Sequence, residues 1–180
     1  GVFFVHADDF DLHALLRDAP NAVVQRRIDH HPVFTELSGA EGSNLRVFTV
    51  RLPDGTMEVR VATLRVGNEG GRIVGAVGGY YAVIDATSGR FTEGFRAPDW
   101  RVLQRLPGSR RALGSGPVPG LWNAFAACLS LHARVPHLGV IGWDVMVDAD
   151  ERPWVIEWNA RYAAIFAPEA FHGPLFRGLN

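Results

Sequence analysis

Ile141-Gly142-Trp143-Asp144-Val145-Met146-Val147, then the polar stretch Asp148-Ala149-Asp150-Glu151-Arg152-Pro153, then Val155-Ile156-Glu157-Trp158-Asn159, read as two buried strands joined by a turn. With the turn centred between Asp150 and Glu151, Asp144 falls directly opposite Glu157. Asn159 lies two residues further on and shares that face. Directly opposed residues carry Cβ atoms roughly 4.5–5.5 Å apart, a separation at which like charges repel. Two carboxylates and an amide oxygen on one face of apolar strands form a donor set for a hard cation, Mg²⁺ or Mn²⁺. The plain alternative is a solvated hairpin face that carries two acids. Register separates the two readings, because a bulge in the turn would send Glu157 to the opposite face.

Working back from the hairpin, Leu121 to Val135 has helical spacing, with Leu121, Phe125, Cys128, Leu129 and Leu131 on or near one side. Residues 92–120 hold many prolines, glycines and arginines and read as an extended connection. Leu45 to Leu52 and Glu58 to Val66 are antiparallel partners around the turn Pro53-Asp54-Gly55-Thr56. Ile73 to Asp85 reads as one or two strands broken at Gly78-Gly79, where a bulge, a close backbone approach to a ligand and plain strand geometry all fit. Nearer the start, Val2 to Val5 and Ala22 to Ile28 read as strands, with a helix from an Asp8 or Asp9 cap through Leu16 between them. Val33 to Leu37 is a short helical turn, and the tail from Ala163 to Asn180 is irregular or weakly helical. Mostly antiparallel strands with few helices predict an α+β fold.

Arg46 and Arg65 each interrupt an apolar strand, in Asn44-Leu45-Arg46-Val47-Phe48 and Ala62-Thr63-Leu64-Arg65-Val66. One such arginine would pass for an edge charge. Two of them beside a cation hairpin favour phosphate or carboxylate binding through forked donors. Metal and arginine together suit phosphoryl transfer, where charge spreads over equatorial oxygens. His30 and His31 are adjacent, so their side chains point apart, and they read as loop residues or a sugar-hydroxyl contact rather than zinc ligands. Ser115 lacks the strand and helix that a nucleophile elbow requires.

The chain has 180 residues, 47% hydrophobic and 21% charged, which suits one domain with a real core or two small lobes. A formal net charge of -1 argues against a nucleic-acid surface. The single cysteine, Cys128, sits in an apolar run and reads as a buried small hydrophobe. No apolar stretch is long enough to span a bilayer and no secretory signal is present, so no membrane partner and a cytoplasmic location are expected. All 18 basic residues are arginine, so the chain cannot itself supply a phosphate-binding lysine.

These residues resemble the C-terminal part of an ATP-grasp domain, closest to the sugar-transfer-associated and α-L-glutamate-ligase-like groups. The most specific piece is Gly142-Trp143-Asp144 followed by Glu157-x-Asn159. Val23-Val24-Gln25-Arg26-Arg27-Ile28 resembles the family's adenine hinge strand, and Asp29-His30-His31-Pro32 its following turn. Asn44-Leu45-Arg46-Val47 is similar to a Thr-Leu-Arg-Val strand, with Asn in the place of Thr, and Leu64-Arg65-Val66-Gly67 with Gly78-Gly79 resembles the next pair of strands. The similarity runs from about residue 1 to 162. It implies ATP and Mg²⁺ (Mn²⁺ possible) as cofactors and small-molecule carboxylate and amine substrates. Asp144, Glu157 and Asn159 would hold the metal, and Arg46 and Arg65 would act on phosphate or acyl phosphate. Gln25, Arg27 and Ile28 would face adenine, and Asp29 the ribose. Residues 1–37 would be a remnant of the central subdomain and residues 38–180 the C-terminal subdomain. The family's strand lysine and glycine-rich loop would lie before residue 1, in a missing N-terminal part. The chain alone is then expected to bind ATP weakly or not at all and to turn nothing over. The implied activity of the intact protein is carboxylate–amine ligation through an acyl phosphate; a non-catalytic nucleotide-binding scaffold and an ATP-grasp kinase are the alternatives.

Overall fold

Alternation decides which side of each strand is buried. In Ser43–Arg51 (β1), Leu45 and Val47 point one way while Asn44, Arg46 and Phe48 point the other. Met57–Val66 (β2) returns antiparallel to β1 after a turn in which Asp54 accepts the Thr56 amide at 2.9 Å and Gly55 takes a φ of 89°. The computed structural model describes residues 5–19, 21–39, 42–67, 74, 79–114, 116–161 and 163–179. Tyr80–Asp85 (β3), Arg90–Phe91 (β4), Phe95–Arg96 (β5), Val102–Leu103 (β6), Val140–Val147 (β7) and Pro153–Asn159 (β8) complete one antiparallel sheet. Its order is β6-β5-β3-β2-β1-β7-β8, with β4 pairing on β3.

One face is the main core. Leu45, Val47, Ala62, Leu64, Trp143, Val145 and Val147 meet Leu121, Ala124, Phe125 and Cys128 of the helix Leu121–His132 (α3). Phe34 and Leu37 of the short helix Pro32–Ser38 (α2) join the same cluster. The last inward position of α3 is His132 rather than Leu131, which is 38% exposed. His132 is fully buried between the Thr49 hydroxyl, 2.7 Å from Nδ1, and the Leu138 carbonyl, 3.0 Å from Nε2. A carbonyl only accepts, so Nε2 carries the proton and Nδ1 accepts from Thr49, which in turn accepts the Trp143 indole N–H at 2.8 Å. Burial pushes the Cys128 thiol up to about 12, in keeping with a packing role.

The opposite face is covered by the C-terminal segment. Ala163 and Leu175 pack with Phe48 and Val61, and the helix Phe166–His172 (α4) lies between them. The tail is therefore a structural layer with one ordered helix turn or two.

Three expectations change. Residues 22–28 form no strand: Val23 and Val24 are 81% and 62% exposed, and the segment has no ladder partner among the described residues. The first longer helix is Leu12–Asp18 (α1), capped by Asp11 rather than Asp8 or Asp9; Asp11 accepts the His13 and Ala14 amides at 2.9 and 3.0 Å. Residues 92–120 contain the β5 and β6 pair in addition to irregular chain. Val2 to Phe4, Ile73, Gly78 and Ser115 lie outside the described residues; Gly79 precedes β3, and a Cβ there would come within 2.5 Å of the Val66 carbonyl oxygen. Among the described residues no helix is long and apolar enough to cross a membrane.

Candidate functional site

The site is a row of residues running across the sheet. Thr63 of β2 pairs with Arg46 of β1, Arg46 with Asp144 of β7, and Asp144 with Glu157 of β8. One step along, Phe48, Gly142 and Asn159 form a second row, and Tyr81, Arg65 and Asn44 a third. Arg46, Arg65, Asp144, Glu157 and Asn159 thus line a single cleft of about 190 Å³. Ligand pockets usually enclose roughly 300–1,000 Å³, so this cleft suits a phosphate-sized group rather than a whole nucleotide.

The Asp144–Glu157 pairing is the expected one, but it arises differently. The turn is centred on Asp150: the Asp148 amide donates to the Arg152 carbonyl at 3.0 Å, and Glu151 takes a left-handed φ of 58°. Asp148 anchors this turn by accepting the Asp150 and Arg152 amides at 3.0 Å each and the Trp154 indole N–H at 2.9 Å. Those bonds, the indole's foremost, hold its carboxyl below the ordinary range. Left to that turn, Asp144 would oppose Ile156 and Glu157 would face the core side. A bulge corrects it: Val145 pairs with Val155 and Asp144 with Glu157, leaving Ile156 unopposed. The Ile156 carbonyl accepts a hydrogen bond from the Gln25 side chain at 3.3 Å.

Asp144 is buried and held by arginine. Arg46 donates from Nε at 2.7 Å and from its terminal nitrogen at 2.9 Å, a forked contact, and Arg65 donates at 3.3 Å. The remaining terminal nitrogen of Arg46 donates to the Ala163 carbonyl at 3.2 Å, tying the C-terminal segment to the site. Repulsion from Glu157 is therefore not the main electrostatic contact of Asp144. The carboxylate is an attractive partner to two buried guanidiniums, and removing one charge from such a cluster costs about 3–5 kcal/mol.

Glu157 and Asn159 are different: neither side chain is engaged by another described residue. Their oxygens face the cleft with Asp144, and this all-oxygen set fits a hard divalent cation. Among the described residues no group of three or more His, Cys, Asp and Glu could hold a metal, so the amide of Asn159 is needed to complete a set. The Thr63 hydroxyl, on the same row, is buried without a hydrogen-bond partner.

Gln25, Arg27, Ile28 and Asp29 do not line the cleft. They lie on the exposed segment that Gln25 joins to β8, with Arg27 and Asp29 3.6 Å apart. His30 and His31 have local roles. His31 Nδ1 caps α2 by accepting the Val33 amide at 3.2 Å, and His30 stacks on Phe34 and meets the Ser43 hydroxyl at 2.9 Å. Burial, with His31 adding to it, lowers the His30 pKa to about 3.

Two contributors were missed from sequence. Gly142 belongs to the quoted Gly-Trp-Asp run, but its role is steric. A Cβ there would come within 3.0 Å of the Arg46 guanidinium and 3.1 Å of the Ala163 carbonyl. The other is the segment around Ala164, Phe166, Ala167 and Pro168, which walls the cleft and carries no charge signal at all.

The family model for sugar-transfer-associated ATP-grasp matches residues 7–173, beyond the 1–162 span of the quoted motifs at its C-terminal end. No curated protein and no solved structure matches the chain.

Proposed function

The chain belongs to the sugar-transfer-associated ATP-grasp family, a nucleotide-binding fold, and from that membership we propose that it forms the ATP- and Mg²⁺-binding part of a carboxylate–amine ligase. The observation that carries the reading is the row Arg46–Asp144–Glu157, with Arg65 and Asn159 beside it in one cleft. Asp144, Glu157 and Asn159 would hold Mg²⁺, which when bound neutralises phosphate oxygens. Arg46 and Arg65 would take phosphate oxygens through their forks, and in doing so would release Asp144 from its ion pairs. The cleft is neutral in itself, two arginines against two carboxylates, so anion and cation are expected to enter together.

In the proposed reaction a substrate carboxylate oxygen bonds to the γ-phosphorus while the bond to the β–γ bridging oxygen breaks and ADP departs. The amine nitrogen then bonds to the acyl carbon, phosphate leaves, and the amine proton passes to solvent. The chain's residues position these groups and balance their charge rather than react covalently. Gln25 with the backbone of Arg27 and Ile28 would face adenine, and Asp29 the ribose. This segment is suited to that role by its tie to β8, the strand that carries Glu157 and Asn159.

A scaffold reading draws on the lysine-free composition. Mg²⁺-ATP turnover by a longer protein that contains the chain separates the two. Turnover that Glu157→Gln abolishes supports the ligase reading, and saturable binding without turnover supports the scaffold. Hydroxylamine added to turnover reactions of such a longer protein would trap a hydroxamate from a ligase and none from a kinase.

A further inference from the structure

A second cleft opens on the same face, on the far side of the C-terminal segment. It is lined by Arg60, His172, Pro174, Leu175 and Arg177. Its key residue is placed by a defect in the sheet. Phe48 pairs with Val61 but Thr49 pairs with Val59, so Arg60 is the extra residue of a β-bulge in β2. Bulges re-aim side chains, and this one turns Arg60 under the chain end instead of out along the strand. One terminal nitrogen of Arg60 donates to the Arg177 carbonyl at 3.2 Å, and the other lies 3.4 Å from the Glu58 carboxylate. Its Nε is buried and has no acceptor, an unmet donor beside the cleft.

Among the described residues Arg177 is exposed and makes no ion pair, while Arg60 lies against Glu58. Two further acids lie near His172: Glu169 accepts the Leu175 amide at 3.1 Å, and Asp85 is committed to the Thr87 and Ser88 amides at 2.7 and 2.8 Å. With Glu58 drawn to Arg60 and Glu169 to the Leu175 amide, the exposed guanidinium of Arg177 and the unmet Nε donor of Arg60 leave a site for an anion.

The separation from the first cleft can be read along two elements. Thr63 lines the first cleft and Arg60 the second, three residues apart on β2, or roughly 10 Å at strand rise. Ala167 and His172 line the two clefts from α4, five residues apart, or roughly 8 Å at helical rise.

We propose that Arg60, Arg177 and His172 form a second anion subsite that holds a carboxylate or phosphate group of the substrate whose other carboxylate is phosphorylated in the first cleft. This rests on the ligase reading for the role of the first cleft, but binding at the second cleft can be tested without it. The substrate class it selects is an acceptor or amine with two anionic groups roughly 8–10 Å apart.

The test is titration of ¹⁵N-labelled chain with inorganic phosphate, and separately with acetate, following the amides of Gly173 and Leu175 for the second cleft and of Gly142 and Asn159 for the first. The proposal expects saturable shifts at Gly173 and Leu175 whose midpoint moves at least tenfold in the Arg60→Gln/Arg177→Gln double variant. Arg177→Gln alone, at an exposed position, keeps the test valid if the double variant unfolds, with an expected loss of at least threefold. Tighter phosphate than acetate binding identifies a phosphoryl group, and the reverse a carboxylate. Shifts confined to Gly142 and Asn159, or unchanged affinity at Gly173 and Leu175 in either variant, would overturn the second subsite while leaving the first cleft's function intact. Saturable shifts at Gly173 and Leu175 alone would instead uphold the subsite and count against the ligase reading.

Discussion

Asp144 and Val145 are neighbours in β7, as Arg46 and Val47 are in β1, yet each pair divides between two faces of the sheet with opposite physics. On the α3 face, Leu45, Val47, Leu64 and Val145 are fully buried against other apolar side chains, and the polar groups there, Thr49, His132 and Trp143, satisfy one another. On the α4 face, Arg46, Arg65 and Asp144 are buried to within 7% exposure, with Glu157 and Asn159 beside them. One face lowers the free energy by removing apolar area from water. The other holds desolvated charge that is compensated only while its partners stay in place. The lesson is that the strand period of two allows a site to be built directly behind a core without disturbing it.

The strongest way to break this comparison is to remove charge from the site face. Asp144→Ala should lower stability by about 3–5 kcal/mol, as much as a core deletion, because two buried guanidiniums lose their anion. Phosphate in the buffer should restore part of that loss, and should do nothing comparable for Leu64→Ala on the core face, where a cavity costs about 2–5 kcal/mol. Urea denaturation with and without phosphate reads both. If Asp144→Ala proved neutral, the ion-pair account of the site face would fail.

Gly142→Ala should cost less, about 1–3 kcal/mol, through overpacking against Arg46 and the Ala163 carbonyl. It should also displace the fork of Arg46, visible as a changed Arg46 Nε–H resonance. An unchanged resonance would show that the site tolerates a Cβ there.

The core side carries a pH dependence of its own. His30 titrates at about 3 in the folded chain against about 6.5 unfolded. Between those values the unfolded chain binds the extra proton, so stability rises with pH across the window. It is complete above about pH 6.5 and lost as pH falls toward 3, with a slope approaching 1.4 kcal/mol per unit. His30→Gln should flatten that limb in a series of denaturation curves. An equally steep limb in the variant would place the titration elsewhere.

The smallest effect is expected from Gln25→Ala, about 0.5–1 kcal/mol for one exposed hydrogen bond. Its interest lies in the bulge: with the Ile156 carbonyl released, the amides of Ile156 and Glu157 should exchange faster with deuterium than in wild type. Unchanged exchange would mean the bulge holds itself.

Both faces were legible in sequence because alternation is a strong signal, and Asp144, Glu157, Asn159, Arg46 and Arg65 do converge. The register was less secure. The expected turn was one position off, and only the unforeseen bulge at Ile156 brought Glu157 opposite Asp144. Nothing in Val155-Ile156-Glu157 marks a bulge, since its carbonyl partner, Gln25, is 131 residues away. The arginines were expected to meet a ligand, while their pairing with Asp144 depends on the β1–β7 register, which links strands remote in sequence. Ala22 to Ile28 misled because its valines suit a strand that here has no neighbour to pair with. The C-terminal wall of the cleft carries two alanines, a proline and a phenylalanine, with no charge or spacing to announce it.

Paramagnetic broadening by Mn²⁺ in the presence of a non-hydrolysable ATP analogue reports where the chain holds a cation. Amides of residues 142–146 and 157–159 should broaden first, and Glu157→Gln should abolish the effect. Broadening centred instead on the hairpin-tip acids Asp148, Asp150 and Glu151, or undiminished in Glu157→Gln, would contradict a cation site at Asp144, Glu157 and Asn159.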